Sequence, residues 1–176
     1  MTEQKVLYVD EMESPLGILT MVATDAGLCQ IQFGSFSSND TTIKARLKKM
    51  GLTGELQHCT ENLQQVKRQL HEYFNRKRTA FELPLHLCGT PFQKKVWEAL
   101  LQIGYGETRS YKQVAQSVGA PKAVRAIGGA NNQNPIPVIV PCHRVIGSNG
   151  NMVGYGGGLD KKELLLSLEG TIEKIS

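Results

Sequence analysis

"SYKQVAQSVGAPKAVRAIGGA", residues 110–130, decides how the second half of the chain is built. Ser110 followed three residues later by Gln113 is a capping box, which satisfies orphan N–H groups where a helix begins. Tyr111, Val114, Ala115 and Val118 then recur on one helical face. Gly119 makes the turn, and Pro121 opens a second helix at or near its first position, where a missing N–H costs nothing. Ala123, Ala126, Ile127 and Ala130 give that helix a small-residue face able to approach a neighbour closely. Two short helices joined by a tight glycine turn form a helix-turn-helix unit. Such a unit is either a plain helical corner or a DNA-binding element whose second helix enters a groove.

Upstream, "TPFQ" at 90–93 starts another helix: Thr90 caps, Pro91 takes the first position, and Gln93 completes a capping box. Phe92, Val96, Leu100 and Ile103 share its apolar face, and Gly104 and Gly106 end it. Downstream, Asn134 precedes Pro135 and is biased away from helix, so the second helix stops before it. "IPVIV", 136–140, reads as a short extended apolar run, after which Pro141 fixes φ just before Cys142. "LDKKELLLSLEG", 159–170, is a final helix with Asp160 and Glu163 as a capping-box analogue. Leu164, Leu165 and Leu168 face inward, and Gly170 closes it.

The first half follows a different pattern. "KVLYVDEM", "GILTMVAT" and "LCQIQFG" are β-rich and separated by the turn chemistry of "SPLG" and "DAG", which predicts a meander over residues 5–34. "GSFSSND" reads as a loop, with a short basic helix over 40–50. "ENLQQVKRQLHEYFNRK" carries Leu63, Val66, Leu70 and Tyr73 or Phe74 at helical spacing. "TAFELPLHLCG" is a strand or an extended linker, with Pro84 and Gly89 marking a boundary. The expected class is α+β. A small N-terminal α/β domain of antiparallel strands plus helix spans 1–87. A mainly helical C-terminal domain with the helix-turn-helix spans 88–176.

At 176 residues, 40% hydrophobic and 20% charged, the composition is that of a soluble globular protein. No apolar run approaches the roughly 20 residues of a membrane span, and the first residues lack the apolar segment of a signal peptide. A cytoplasmic, membrane-free setting is the expectation. Cys29, Cys59, Cys88 and Cys142 are widely spaced and expected as free thiols. His58, Cys59, His86 and Cys88 have poor spacing for a zinc finger or ribbon, so no metal is expected. The net charge of +4 is concentrated. Residues 88–155 hold Lys94, Lys95, Arg109, Lys112, Lys122, Arg125 and Arg144 against only Glu98 and Glu107. That bias suits either a polyanionic partner or a solvated basic face.

Within this basic segment "PCHR" sets Cys142 beside His143. Two readings fit: a buried structural thiol, or a nucleophile activated by a base. An ordinary thiol is only a few per cent thiolate at neutral pH, so the second reading needs a nearby base or positive field. Neighbours on an extended chain face opposite ways, so a tight turn or a bridging water is needed to join them. Glu169 lies in the last turn of the final helix, where its charge opposes the macrodipole. It is either a solvated acid or a carboxylate that holds a histidine in one tautomer. Tyr111, at a helix start, and Arg125, midway along the next helix, are either a core tyrosine and a surface arginine or nucleic-acid contacts. "GYGGGLD", 154–160, is a flexible loop in which Tyr155 could wall a pocket.

"SYKQVA", "PKAVRAIGGA", "NPIPVIVPCHR", "GYGGGL" and "KELLLSLEG", in that order, resemble the O6-alkylguanine-DNA alkyltransferase family, the methylated-DNA–protein-cysteine methyltransferases. The resemblance covers roughly residues 88–170. It implies a DNA repair activity: an O6-alkylguanine, or an O4-alkylthymine, is flipped from duplex DNA. Its alkyl group then passes irreversibly to the protein's own cysteine, once per molecule, by a monomer with no cofactor. By position, Cys142 is the alkyl acceptor, His143 the water-relayed base and Glu169 the carboxylate that orients it. Arg125 fills the emptied duplex, Tyr111 rotates the nucleotide and bonds the guanine ring, and Asn134 is a hinge. Val145, Tyr155 and Gly156 form the pocket. Leu165 or its neighbours stand where many members carry Trp, a packing change. A cysteine at 142 separates the chain from non-catalytic lesion sensors. The rival functions are such a sensor or a helix-turn-helix regulator, and a cysteine hydrolase.

Overall fold

In the computed structural model the described residues are 6–147, 155 and 157–171. The β-rich stretch folds as its turn chemistry requires. Strands β1 (Val6–Ser14), β2 (Gly17–Thr24) and β3 (Gly27–Phe33) pair antiparallel in sequence. At the first turn the Ser14 hydroxyl donates to Gly17 O (2.7 Å) and accepts from Leu16 N–H (3.1 Å). A fourth strand, β4 (Glu55–His58), adds in parallel to β1, giving the order β3-β2-β1-β4. Sequence reading missed it. It has four mostly exposed residues and no apolar alternation to betray it.

Residues 84–86 run alongside β3. Leu28 N–H donates to Pro84 O (3.0 Å) and His86 N–H to Leu28 O (2.7 Å). Gly27 is required there: its φ is +145°, and a Cβ would lie 2.4 Å from Pro84 O.

Helix α1 (Phe36–Lys49) begins earlier than residue 40, inside the expected loop, because the Ser35 hydroxyl accepts from Ser38 N–H (3.2 Å) and caps it. Its Ile43 and Leu47 close a core with Leu7, Val9, Val22, Cys29 and Leu52. Helix α2 (Thr60–Phe74) buries Leu63, Val66, Leu70, Tyr73 and Phe74, as the helical spacing predicts. Each such side chain removed from water stabilises by about 1.5–3 kcal/mol.

The chain divides into two compact units, residues 1–88 and 89–176. In the second, α3 (Pro91–Leu100) and α4 (Tyr111–Ser117) both open on complete capping boxes, Thr90 with Gln93 and Ser110 with Gln113. Trp97 on α3 is fully buried and its Nε1–H donates to Ala130 O (2.8 Å), which fixes α3 on α5 (Val124–Asn132). Gly119 ends α4 at φ +77°, with Gly119 N–H bonded to Gln116 O and Ala120 N–H to Ala115 O.

Three expectations change here. Pro121 starts a turn, not the helix: Ala123 N–H returns to Ala120 O (2.9 Å), and α5 begins only at Val124. The buried face of α5 is therefore Ile127, Ala130 and Asn131, with Ala126 exposed. "IPVIV" is not extended but coiled into turns, with Val140 N–H on Ile136 O (2.9 Å) and Val138 at φ +75°.

A 3-10 turn, Cys142–Arg144, follows, then β6 (Val145–Ile146), which pairs in parallel with β5 (Arg109–Ser110). Helix α6 (Leu159–Leu168) starts at Gly158 with no side-chain cap, so Asp160 does not cap it. It buries Lys162, Leu165 and Leu166, while Leu164 and Leu168 are half-buried. Gly170, at φ +78°, ends it: Gly170 N–H bonds Ser167 O and Thr171 N–H bonds Leu166 O. Among the described residues no helix is long and apolar enough to cross a membrane.

Candidate active site

Cys142 and His143 lie on a 3-10 turn and not on an extended run. In extended chain the two side chains would point apart; here both are buried within one tight turn. His143 is completely buried, and its Nε2 lies 2.7 Å from Glu169 Oε2, whose side chain is also fully buried. Opposite a carboxylate, Nε2 carries the proton and Nδ1 carries the bare lone pair. Nδ1 is buried with no hydrogen-bond partner among the described residues. Burial is the main reason His143 is held below its ordinary pKa, with Arg144 and Lys162 adding to the effect and Glu169 opposing it. The imidazole is thus neutral at rest and can take a proton.

Glu169 is not the solvated acid that its place at a helix end allowed. Arg144 Nε donates to its Oε1 (2.8 Å) and Arg144 Nη2 to its Oε2 (2.9 Å). Burial alone would raise its pKa, but hydrogen bonds from His143 and Arg144 win and hold it at about 2. This buried charge is paired and bonded, as a buried charge must be.

Cys142 is 4% exposed. Burial pushes its thiol up to about 11, while Asn134, Lys162 and Tyr155 all pull it back down. The sulfur of the resting protein is therefore a protonated thiol among groups that favour its anion.

Tyr111 is half-buried at the start of α4. Burial and the nearby Cys142 raise its pKa, so it stays a phenol, and Asn131 bonds it. Asn134 is buried and closes the turn before the cysteine: its Nδ2–H donates to Val140 O (2.8 Å) and its Oδ1 accepts from Ile136 N–H (3.0 Å). Val145 and Tyr155 are buried, and Gly156 lies outside the described residues. Arg125 is exposed in the first turn of α5, not midway along it.

Sequence reading missed three members. Lys162 is fully buried and donates to Val145 O. Burial lowers it to about 8, with Cys142 opposing that shift. The signal was its spacing: it stands three, four and seven residues before Leu165, Leu166 and Glu169, on one helical face. Asn131 Nδ2–H reaches Cys142 O (3.4 Å), and Arg144 was visible only as a basic residue. In the first unit, His58 pairs with Asp10 (3.0 Å) and His86 with Thr24 (2.8 Å). Among the described residues no group of three or more His, Cys, Asp or Glu could hold a metal ion.

Comparison with known proteins finds matches in both units. Residues 7–87 match the family model of the 6-O-methylguanine DNA methyltransferase ribonuclease-like domain, and residues 91–171 that of its DNA binding domain. A methylated-DNA–protein-cysteine methyltransferase of Methanosarcina barkeri is 44% identical over 163 residues, 93% of this chain and 97% of its own. The constitutive enzyme of Bacillus subtilis is 55% identical over 111 residues, 62% of this chain and 67% of its own. The crystal structure of Mycobacterium tuberculosis OGT in complex with DNA superposes with a TM-score of 0.79 at 38% identity, covering 93% of each chain. The α+β fold and the buried Cys142, together with these relatives, define the class: a cysteine S-methyltransferase. The chain belongs to the 6-O-methylguanine DNA methyltransferase family.

Proposed function

We propose that this protein repairs O6-alkylguanine in duplex DNA by moving the alkyl group to Cys142, once per molecule and without a cofactor. A base inside a duplex is unreachable, and everting it costs a few kcal/mol. Residues 88–176 act as the DNA-binding and acceptor domain, and residues 1–87 form a separate α/β domain. Helix α5 lies in the minor groove, and Arg125 fills the space left by the everted nucleotide and offsets part of that cost. The exposure of Arg125 at the front of α5 supports this reading.

Tyr111 helps rotate the nucleotide, Asn134 holds the hinge, and Val145 and Tyr155 wall the base pocket. The thiol proton of Cys142 passes through a water to His143 Nδ1. The sulfur lone pair forms a bond to the alkyl carbon as the carbon–O6 bond breaks, and that electron pair stays on guanine. The Tyr111 phenol hydrogen-bonds or protonates the departing base. The thioether has no easy return path.

The observation that carries the reading is the pairing of His143 Nε2 with Glu169 while Nδ1 stays bare, on the residue that follows a buried cysteine. The protein is incubated with duplex DNA holding O6-methylguanine, and its intact mass is measured. The expected result is a gain of one methyl group in place of a proton, mapped to Cys142. An unchanged mass sinks the transfer reading and leaves a binding protein. Multiple turnovers with the protein mass restored would indicate a hydrolase.

A further inference from the structure

Glu169 is shared. One oxygen accepts from His143 Nε2 and Arg144 Nη2; the other accepts from Arg144 Nε and from Gly106 N–H at 3.5 Å. Four donors among the described residues therefore meet the carboxylate. The guanidinium is itself anchored: Nη1 donates to Ile103 O (2.6 Å), and its carbon lies 5.9 Å from the centre of the Tyr105 ring. The Tyr105 hydroxyl donates to Leu168 O (3.3 Å), just before Glu169 on α6. Arg144 is 7% exposed, so these contacts are made out of water, where a bidentate fork is strong.

We propose that Arg144 is a positioning residue for the transfer step, its fork holding both Glu169 oxygens so that the carboxylate stays on His143 Nε2 and the mobile proton stops at the imidazole. This rests on the reading that His143 is the base. A histidine–carboxylate pair alone leaves the acid free to rotate and to compete for the proton. A guanidinium on the far side removes both freedoms: it fixes the plane of the carboxylate and lowers its basicity. The charged groups acting on His143 are Lys162 from α6, Glu169 at the end of that helix, and Arg144 from its own turn. Of these, Arg144 and Lys162 disfavour imidazolium, and Glu169 favours it.

Single-turnover transfer from O6-methylguanine duplex is followed against pH by intact mass, with rates referred to folded protein by circular dichroism. Arg144→Lys keeps the charge and loses the fork. It is expected to slow transfer on the order of ten- to a hundredfold, since a small misplacement of a catalytic group costs that much. The acid limb of its rate profile should stay in place. Arg144→Gln loses the charge, and its acid limb should move to higher pH because a cation that opposed imidazolium is gone. Should Arg144→Gln not fold, Arg144→Lys and the 15N signals of His143 decide: wild type shows a proton on Nε2 alone, Arg144→Lys a mixture of tautomers. Arg144→Lys at wild-type rate, or with the wild-type tautomer, overturns the proposal. A wild-type protein that gains no mass would instead defeat the transfer reading itself.

Discussion

Replacing Glu169 by Gln removes one charge and leaves nearly the same shape, so its effect can be worked from the structure. The carboxyl goes from an ordinary 4.5 to about 2 on folding. At 1.36 kcal/mol per pH unit, that depression corresponds to about 3 kcal/mol of stability, the order expected when one partner of a buried ion pair is removed. Because the folded value is the lower one, the unfolded chain binds the proton more readily. The contribution is complete above the unfolded value near 4.5 and disappears as the pH falls through the folded value near 2. Near pH 3 roughly 1.4 kcal/mol remains.

Trp97, the single tryptophan, is buried in the same unit, so its fluorescence during urea unfolding reports the right transition. Glu169→Gln should unfold about 3 kcal/mol sooner at pH 7, and the gap should narrow by about half at pH 3. A variant as stable as wild type at pH 7, or a gap that stays constant as acid is added, would refute the idea that this carboxylate is held by His143 and Arg144.

The other predictions are simpler. Lys162→Met removes a cation that favours the Cys142 anion and should slow transfer about tenfold, in a stopped single-turnover assay. Arg125→Ala, at an exposed position, should shift the urea midpoint by less than about 0.5 kcal/mol in free-energy terms while weakening binding to lesion duplex by fluorescence anisotropy; equal losses of both would make Arg125 structural. Gly27→Ala forces a Cβ onto Pro84 O at positive φ and should cost the first unit about 2 kcal/mol or more, read by its thermal unfolding. Ser110→Ala breaks a capping box and should cost about 1 kcal/mol in the second unit.

How much the sequence discloses follows from how local each signal is. The capping boxes at Thr90 and Ser110 form between residues three apart, so both are legible in the order of residues alone. The meander is legible because turn residues and β-formers alternate within a few positions. β4 is not: its place is set by pairing with Val6–Val9, some fifty residues away, and nothing in "ELQH" records a partner. The turns of "IPVIV" escape for a related reason. A short apolar run with Pro137 inside it and Pro135 and Pro141 beside it suits an extended chain, but the Asn134 side chain bonds at both ends of this loop and curls it.

The site divides along the same line. Its residues are nameable because the motifs carry a family resemblance, yet their relations are not. A glutamate at the end of a helix, opposing the dipole, is unfavourable until Arg144 and His143 arrive from a turn 25 and 26 residues away in sequence. The helix-end penalty of at most about 1 kcal/mol is then small beside two charge-assisted contacts made out of water. The local cost is legible and its long-range compensation is not. A residue that breaks a local rule with no visible gain nearby is where a distant partner should be sought. Lys162, a charged residue on the apolar face of α6, is the second example in this chain, and its partners, Val145 O and Cys142, lie beyond the helix that exposes the anomaly.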